Sequence, residues 1–320
     1  MALKKPTQDF TVKAASLMAK IMGGGREAWN GQVSVFNDQP EIAAQMSWAG
    51  ALQVSDEVAR GIKDAADHPH RRIKDPDAFE VLLHEMVHGL IGGSTDKINA
   101  KRRSFGIKTP YREEYSDHER AYQDPATGHI EEGFTELGTI HHAPEFFRAM
   151  GLSDRKTSFL ATNIPLNPFG SNWRTMNDLA LDAQDPVKIE NGEAWGHYNW
   201  QTRMAQDWVQ QVAQDEGHGD LRIGTPGYDR TRELSDEINR EGASRKVNVM
   251  ADQVIRAALK DSPEAPLLED EIAMSRVQVE TRRAILEAWS GQEAAMDAHR
   301  AAISVARNTA HTVAMDRRAA

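Results

Sequence analysis

The stretch Leu83-His84-Glu85-Met86-Val87-His88-Gly89 is the most informative part of the sequence. If this stretch is helical, His84 and His88 lie one turn apart on the same face, so both imidazoles can reach one metal ion. Glu85 lies beside them, where it can take a proton from a water that the metal acidifies. The stretch therefore predicts half of a catalytic zinc site.

The flanking sequence predicts that this stretch is the middle of a helix. Asp75-Pro76-Asp77 supplies a capping residue, a proline at the first helical position and an acid in the first turn, and Gly92-Gly93 supplies the end. The apolar residues between these signals recur at helical spacing and predict a buried helix. They are Phe79, Leu82, Leu83, Met86, Val87, Leu90 and Ile91. The alternative is a buried helix whose histidines bond neighbouring polar groups and hold no metal.

A hydrolytic zinc site needs a third protein ligand and one open position. The metzincin pattern does not supply that ligand, because Ile91 and Ser94 stand where its glycine and third histidine would be. A second predicted helix, 128–137, carries Glu132 and Glu136 one turn apart on one face. Glu132 is the predicted third ligand. The alternatives for this position are Glu131, His129 and His118.

Taken together, the two motifs resemble the core of the gluzincin metallopeptidases, the superfamily of thermolysin-like enzymes and zinc aminopeptidases. Glu132-Gly133-Phe134 is similar to the Glu-Gly-Phe of the aminopeptidase branch. The resemblance implies one Zn²⁺ per chain on His84, His88 and Glu132, with Glu85 as the general base. It also implies that Glu136 hydrogen-bonds a ligand histidine. The resemblance covers mainly residues 75–142. A long interval between the motifs and the lack of a Gly-x-Met-x-Asn motif indicate a divergent member.

The sequence predicts a predominantly helical α+β fold. Residues 32–36 and 45–54 alternate like strands, so a small mixed or antiparallel sheet precedes the two zinc-binding helices, and a helical C-terminal lobe follows. The predicted division is a catalytic subdomain in 1–145, connecting loops and a helical second lobe in 146–262, and a helical extension in 263–320. In gluzincins an edge strand binds the substrate backbone, and 45–54 is our hypothesis for that strand.

Two further predictions concern aromatic and histidine side chains. The resemblance implies a Tyr or His in the second lobe that stabilises the oxyanion, and Tyr198 is the predicted residue, with His197 and Tyr228 as alternatives. Core packing in an apolar stripe is the competing interpretation of Tyr198. The adjacent pair His141-His142 is predicted to lie at a helix end exposed to water.

The composition favours a cytoplasmic protein. The formal net charge of −10 argues against a nucleic-acid-binding surface, and the absence of cysteine excludes disulfides and thiolate chemistry. We expect no signal peptide, no membrane span and no membrane partner. The expected partner is a peptide or protein substrate, and residues 264–320 could also bind a protein partner or self-associate.

These observations predict a zinc metallopeptidase, and an endopeptidase rather than an exopeptidase. The competing hypothesis is a scaffold or particle-associated protein that retains the metallopeptidase-like core without turnover and acts through its helical C-terminus.

Overall fold

The fold is known from a computed structural model, which describes residues 5–22, 33–36, 44–46, 52–68, 81–88, 124–150, 199–221, 224–242, 245–291 and 295–319. These residues are mostly helical, with one three-stranded sheet. The predicted class, a predominantly helical α+β fold with a small sheet, is confirmed.

The order of elements begins with a helix, the sheet and a second helix. These are α1 Lys5–Ile21, β1 Val33–Phe36, β2 Ala44–Met46, β3 Leu52–Ser55 and α2 Asp56–Asp67. Residues 81–88 are helical and are called α3 here. The later elements are α4 Pro125–Ala149, α5 Asn199–Asp215, α6 Pro226–Asn239, α7 Lys246–Leu259, a 3-10 turn Ala265–Glu269, α8 Glu271–Ser290 and α9 Ala295–Ala319.

The sheet is mixed and has the strand order β1-β3-β2. β3 runs parallel to β1 and antiparallel to β2, and Leu52 and Val54 of β3 point into the core. Gln53 points the other way, where its side chain accepts a 2.8 Å hydrogen bond from its register partner Gln45. After β3, Ser55 caps α2 by accepting a hydrogen bond from the Val58 amide, as its position before two acids favours.

The prediction of one long strand over 45–54 is wrong. The segment contributes two strands, β2 and β3, that pair with each other. Alternation could not separate these possibilities, because one long strand and two short antiparallel strands share the period of two. The hypothesis that this segment is a substrate-binding edge strand can now apply only to β2. β3 is paired on both sides, so within the described sheet only β1 and β2 are edges.

The chain divides into two compact units, and each is described by itself. The first comprises residues 1–120 and 135–195. Its described core brings together α1, β1, β3, α2, α3 and the C-terminal part of α4. Apolar side chains that are almost fully buried there include Ala14, Met18, Leu52, Val54, Ile62, Leu82, Leu83, Val87 and Phe146. The helix that carries the two histidines is therefore a core element of this unit.

The second unit comprises residues 121–134 and 196–320. It contains most of the predicted second lobe together with the whole predicted C-terminal extension, and in it α8 and α9 pack against each other and against α7. The apolar stripe of α9 is made largely of alanines at every fourth position, Ala298, Ala302, Ala306 and Ala310, all fully buried. Such small residues let helices approach closely, which explains how a helix with a thin apolar stripe is packed. The predicted boundaries at 145 and 262 stay predictions.

His299 gives the second unit a pH-dependent stability. Its side chain is 2% exposed, and burial lowers its pKa to about 4 although the Asp215 carboxylate lies 3.6 Å away and opposes the shift. The unfolded chain binds this proton near pH 6.5, so the stabilisation is complete above that pH and is lost as the pH falls toward about 4. We expect a loss of about 2–3 kcal/mol between pH 7.5 and 4.5 from this group, measured by urea unfolding.

The control for this prediction is His299→Phe, which keeps an aromatic ring beside Trp208, whose ring centroid lies 5.2 Å away. The variant should show a flatter dependence of unfolding free energy on pH over that window. Equal slopes for the two proteins would contradict the prediction.

Candidate metal centre

His84 and His88 face each other from successive turns of α3. Both side chains are buried, and the other buried residues of this helix, Leu82, Leu83, Met86 and Val87, hold it in the core of the first unit. The two Nε2 atoms are 3.0 Å apart, and the ring centroids are 4.6 Å apart with an angle of 79° between the planes. The spacing of four residues thus brings the two nitrogens together as predicted. The predicted ends of this helix lie outside the described residues.

Glu132 of α4 completes a group of three potential ligands with His84 and His88. One nitrogen of each histidine and one carboxylate oxygen of Glu132 lie within 4.8 Å of one another, and all three residues are buried. Among the described residues, no other cluster of His, Asp or Glu meets this condition. This group could hold a metal ion.

Glu136 lies one turn after Glu132 and binds the outer nitrogen of His84. Its Oε2 is 2.7 Å from His84 Nδ1, and both side chains are largely shielded from solvent. A carboxylate can only accept here, so Nδ1 carries the proton and the lone pair of this ring lies on Nε2. The contact is the one that the resemblance implied for Glu136, and it leaves His84 ready to bind a cation through Nε2.

Thr135 is a residue of this site that the sequence analysis missed. Its Oγ1 lies 3.3 Å from His88 Nδ1, so it contacts the second histidine at the atom that corresponds to the Glu136 contact on the first. A threonine hydroxyl both donates and accepts, so it can pair with either tautomer of the ring. The signal was present in the spacing, because residue 135 follows Glu132 by three and shares its side of the helix.

The donor set fits a divalent cation such as zinc. Two ligands of a tetrahedral ion with bonds of about 2.0–2.1 Å lie about 3.3 Å apart, close to the 3.0 Å between the two Nε2 atoms. When Nδ1 of His84 carries its proton, Nε2 of that ring can accept a hydrogen bond from His88 Nε2 or bind a cation in its place. Two imidazoles and a carboxylate are also a common ligand set for catalytic zinc.

Glu85 differs from its neighbours on α3 in being partly exposed, whereas His84 and Met86 are buried. A general base that takes a proton from water needs access to that water, which partial exposure allows. The burial pattern of this helix therefore separates the predicted general base from the predicted ligands.

The alternatives to Glu132 have different surroundings. Glu131 forms a buried ion pair with Lys246 at 2.9 Å. His129 bonds the Trp289 backbone, and burial lowers the pKa of its imidazole. His118 lies outside the described residues. Neither Glu131 nor His129 belongs to the three-residue group.

The remaining predicted residues can be placed only in part. Tyr198 and its alternative His197 lie outside the described residues. Tyr228 is in the first turn of α6, where burial raises the pKa of its phenol. The prediction for His141 and His142 is wrong, since both are buried within α4. That helix is buried on most of its circumference between residues 130 and 142, so two neighbouring side chains about 100° apart both find cover.

Gly133, beside the proposed ligand Glu132, is required by a close helix contact. A Cβ at this position would lie 2.4 Å from the Gln201 carbonyl oxygen of α5 and 2.8 Å from its carbon. Backbone atoms cannot rotate away, so the clash outweighs the helix propensity of about 1 kcal/mol that alanine adds. We expect Gly133→Ala to lower the unfolding free energy by about 1–3 kcal/mol in urea denaturation.

Gly219→Ala is the matched control for this prediction, because a Cβ there would meet nothing within 4 Å. It should leave stability within about 0.5 kcal/mol of the parent. A Gly133→Ala protein as stable as this control would contradict the close contact.

Comparisons with known proteins add no relative. No protein-family model matches the chain, and neither does any curated protein or solved structure. Among the described residues, no helix combines the length and the apolar character needed to cross a membrane.

Proposed function

We propose that this protein is a zinc-dependent metallopeptidase of the gluzincin type that cleaves peptide bonds as an endopeptidase. The observation that carries the proposal is the buried group of His84, His88 and Glu132, with the Glu136 carboxylate 2.7 Å from His84 Nδ1. The ligands and this supporting contact are those that the resemblance to gluzincins implied. Agreement at four positions on two helices favours a metal site over a buried histidine pair.

Zinc is the proposed metal, because it binds two histidines and one carboxylate in hydrolytic sites and leaves one position open. A bound zinc ion would supply a Lewis acid that lowers the pKa of a water to about 7 and polarises the substrate carbonyl.

The chain's own residues divide the remaining work. His84, His88 and Glu132 hold the ion, while Glu136 and Thr135 fix the two rings by their outer nitrogens. Glu85 takes the proton from the attacking water and returns it to the leaving amine, which turns a poor leaving group into a good one. The partly exposed position of Glu85 suits this proton transfer.

The finer features of the proposal rest on the sequence. The peptide bond as substrate follows from the resemblance of the two motifs, and Tyr198 as oxyanion stabiliser and a cytoplasmic location stay predictions. A partner bound through residues 264–320 is a prediction of the same kind.

A chelation experiment tests the proposal. The purified protein should contain about one zinc per chain, cleave unfolded casein, lose this activity with 1,10-phenanthroline and regain it when zinc is added back. Its products should include internal fragments, as expected of an endopeptidase. Metal binding without turnover of casein or a mixed peptide library would support the scaffold hypothesis instead, and a protein that binds no divalent metal would refute the metal site.

A further inference from the structure

Glu131 and Phe134, which flank Glu132 on α4, bond side chains from two other helices of the second unit. The Glu131 carboxylate lies 2.9 Å from Lys246 Nζ, and the Phe134 carbonyl accepts a 2.7 Å hydrogen bond from Asn239 Nδ2. Lys246 and Asn239 also bond each other, since Nζ donates to Oδ1 at 2.8 Å. One lysine on α7 and one asparagine on α6 therefore hold two points of α4 in a single connected network.

This network is buried and charged. The Lys246 side chain is 0% exposed and that of Glu131 2% exposed. Removing an ammonium and a carboxylate from water is costly, and a well-packed apolar pair of the same size would be at least as stabilising. What the network supplies better than apolar contacts is a fixed direction, because the hydrogen bonds from Lys246 to Asn239 and from Asn239 to Phe134 are short and oriented.

The direction that the network fixes is the rotation of α4 about its axis. Residues 131 and 134 lie three positions apart on one side of the helix, and residue 132 projects about 100° away from residue 131. A carboxylate about 6 Å from the helix axis moves by about 2 Å when the helix rotates by 20°. Ligand atoms must be held far more closely than that, within about 0.5 Å.

Two packing contacts next to the network also hold α4 against its neighbours. Gly133 packs against the backbone of Gln201, and the Phe134 ring stacks on Trp289 with a centroid distance of 6.2 Å. These contacts fix the distance of α4 from its neighbours but are non-directional compared with the polar network.

We propose that Lys246 and Asn239 are positioning residues for the metal site, which hold α4 in the rotation that presents Glu132 as the third ligand. The inference rests on the proposed function, since it takes Glu132 as a zinc ligand. It predicts that interactions on another side of the helix, with no contact to the metal, raise the affinity for zinc.

The test is zinc affinity in Lys246→Met, measured by competition with a fluorescent chelator. Measurements are made where circular dichroism shows that the zinc-free variant keeps the helix content of the parent. We expect the dissociation constant for zinc to rise 10–100-fold, the range seen when groups that orient metal ligands are removed. The visible absorption of the cobalt-loaded protein should also change, because it reports the number and geometry of the ligands. A purely structural role would lower the melting temperature and leave both readouts unchanged.

A second variant covers the case in which Lys246→Met does not fold. Glu131→Gln with Lys246→Met removes both charges of the ion pair, and it should weaken zinc binding by a similar factor. The control is Lys260→Met, which removes a lysine that bonds the Asp215 carbonyl at the end of α5, and its zinc affinity should equal that of the parent.

The outcomes separate this inference from the proposed function. A parent protein that binds zinc, with folded variants that bind it within twofold of the parent, overturns the positioning role alone. A parent that binds no divalent metal overturns both.

Discussion

Glu85→Gln is expected to abolish peptide hydrolysis while the protein retains about one zinc per chain. The amide keeps the size of the carboxylate but cannot take a proton from water, and loss of a general base typically costs 10²–10⁴-fold in rate. Glu85 is not one of the three grouped donors, so zinc content should not change. The measurement is the initial rate of cleavage of a fluorogenic peptide, beside metal analysis of the same sample.

Glu57→Gln provides the matched control, since it makes the same chemical change at an exposed position in the first turn of α2. Its rate should equal that of the parent. Full activity of Glu85→Gln would remove the proposed mechanism, and loss of zinc in that variant would show that Glu85 acts on the metal rather than on water.

Glu132→Gln is expected to lose tightly bound zinc and, with it, hydrolysis. Structural zinc sites with four protein ligands bind the ion with about 10–16 kcal/mol, or about 2.5–4 kcal/mol for each ligand, which corresponds to a fall in affinity of about 10²–10³-fold when one is lost. The neutral amide of glutamine is a weak ligand for zinc, so it restores little of the lost binding free energy. The measurement is zinc stoichiometry after dialysis, together with the dissociation constant from chelator competition.

Two comparisons make this result specific. Glu145→Gln changes an exposed glutamate on the same helix and should bind zinc as the parent does. His118→Ala tests the alternative ligand that lies outside the described residues. If His118→Ala released the metal and Glu132→Gln kept it, the third ligand would have been assigned to the wrong residue.

The histidines and the helices were predictable because their signals are local. Two ligands four residues apart on a helix lie on one face whatever surrounds them, and the helix period likewise places Glu136 above Glu132. The contact between Glu136 and His84 came from the resemblance to gluzincins, since spacing within one helix says nothing about the other. The predominantly helical class was predictable for the same reason, because apolar residues that recur at helical spacing indicate a helix without knowledge of its partners.

The features that sequence did not reveal depend on partners distant in the chain. Lys246 and Asn239 read as ordinary polar residues of helices, and only their burial against Glu131 and Phe134 shows their role. The burial of His141 and His142 depends on how many sides of α4 are covered, which no local pattern records. The pairing of β2 with β3 was hidden for a different reason, because both arrangements show the same alternation.

The alanine stripe of α9 affects both the entropy cost of ordering this helix and the strength of its packing against neighbouring helices. Ala302 and Ala306 have no side-chain rotamers to lose on packing, so ordering the helix costs little entropy beyond that of the backbone. Each methyl group also gains little from burial, so the attachment depends on many weak dispersion contacts that require close approach. A larger side chain at the centre of the stripe would therefore push α9 away from its neighbours and weaken the contacts of the alanines on either side as well.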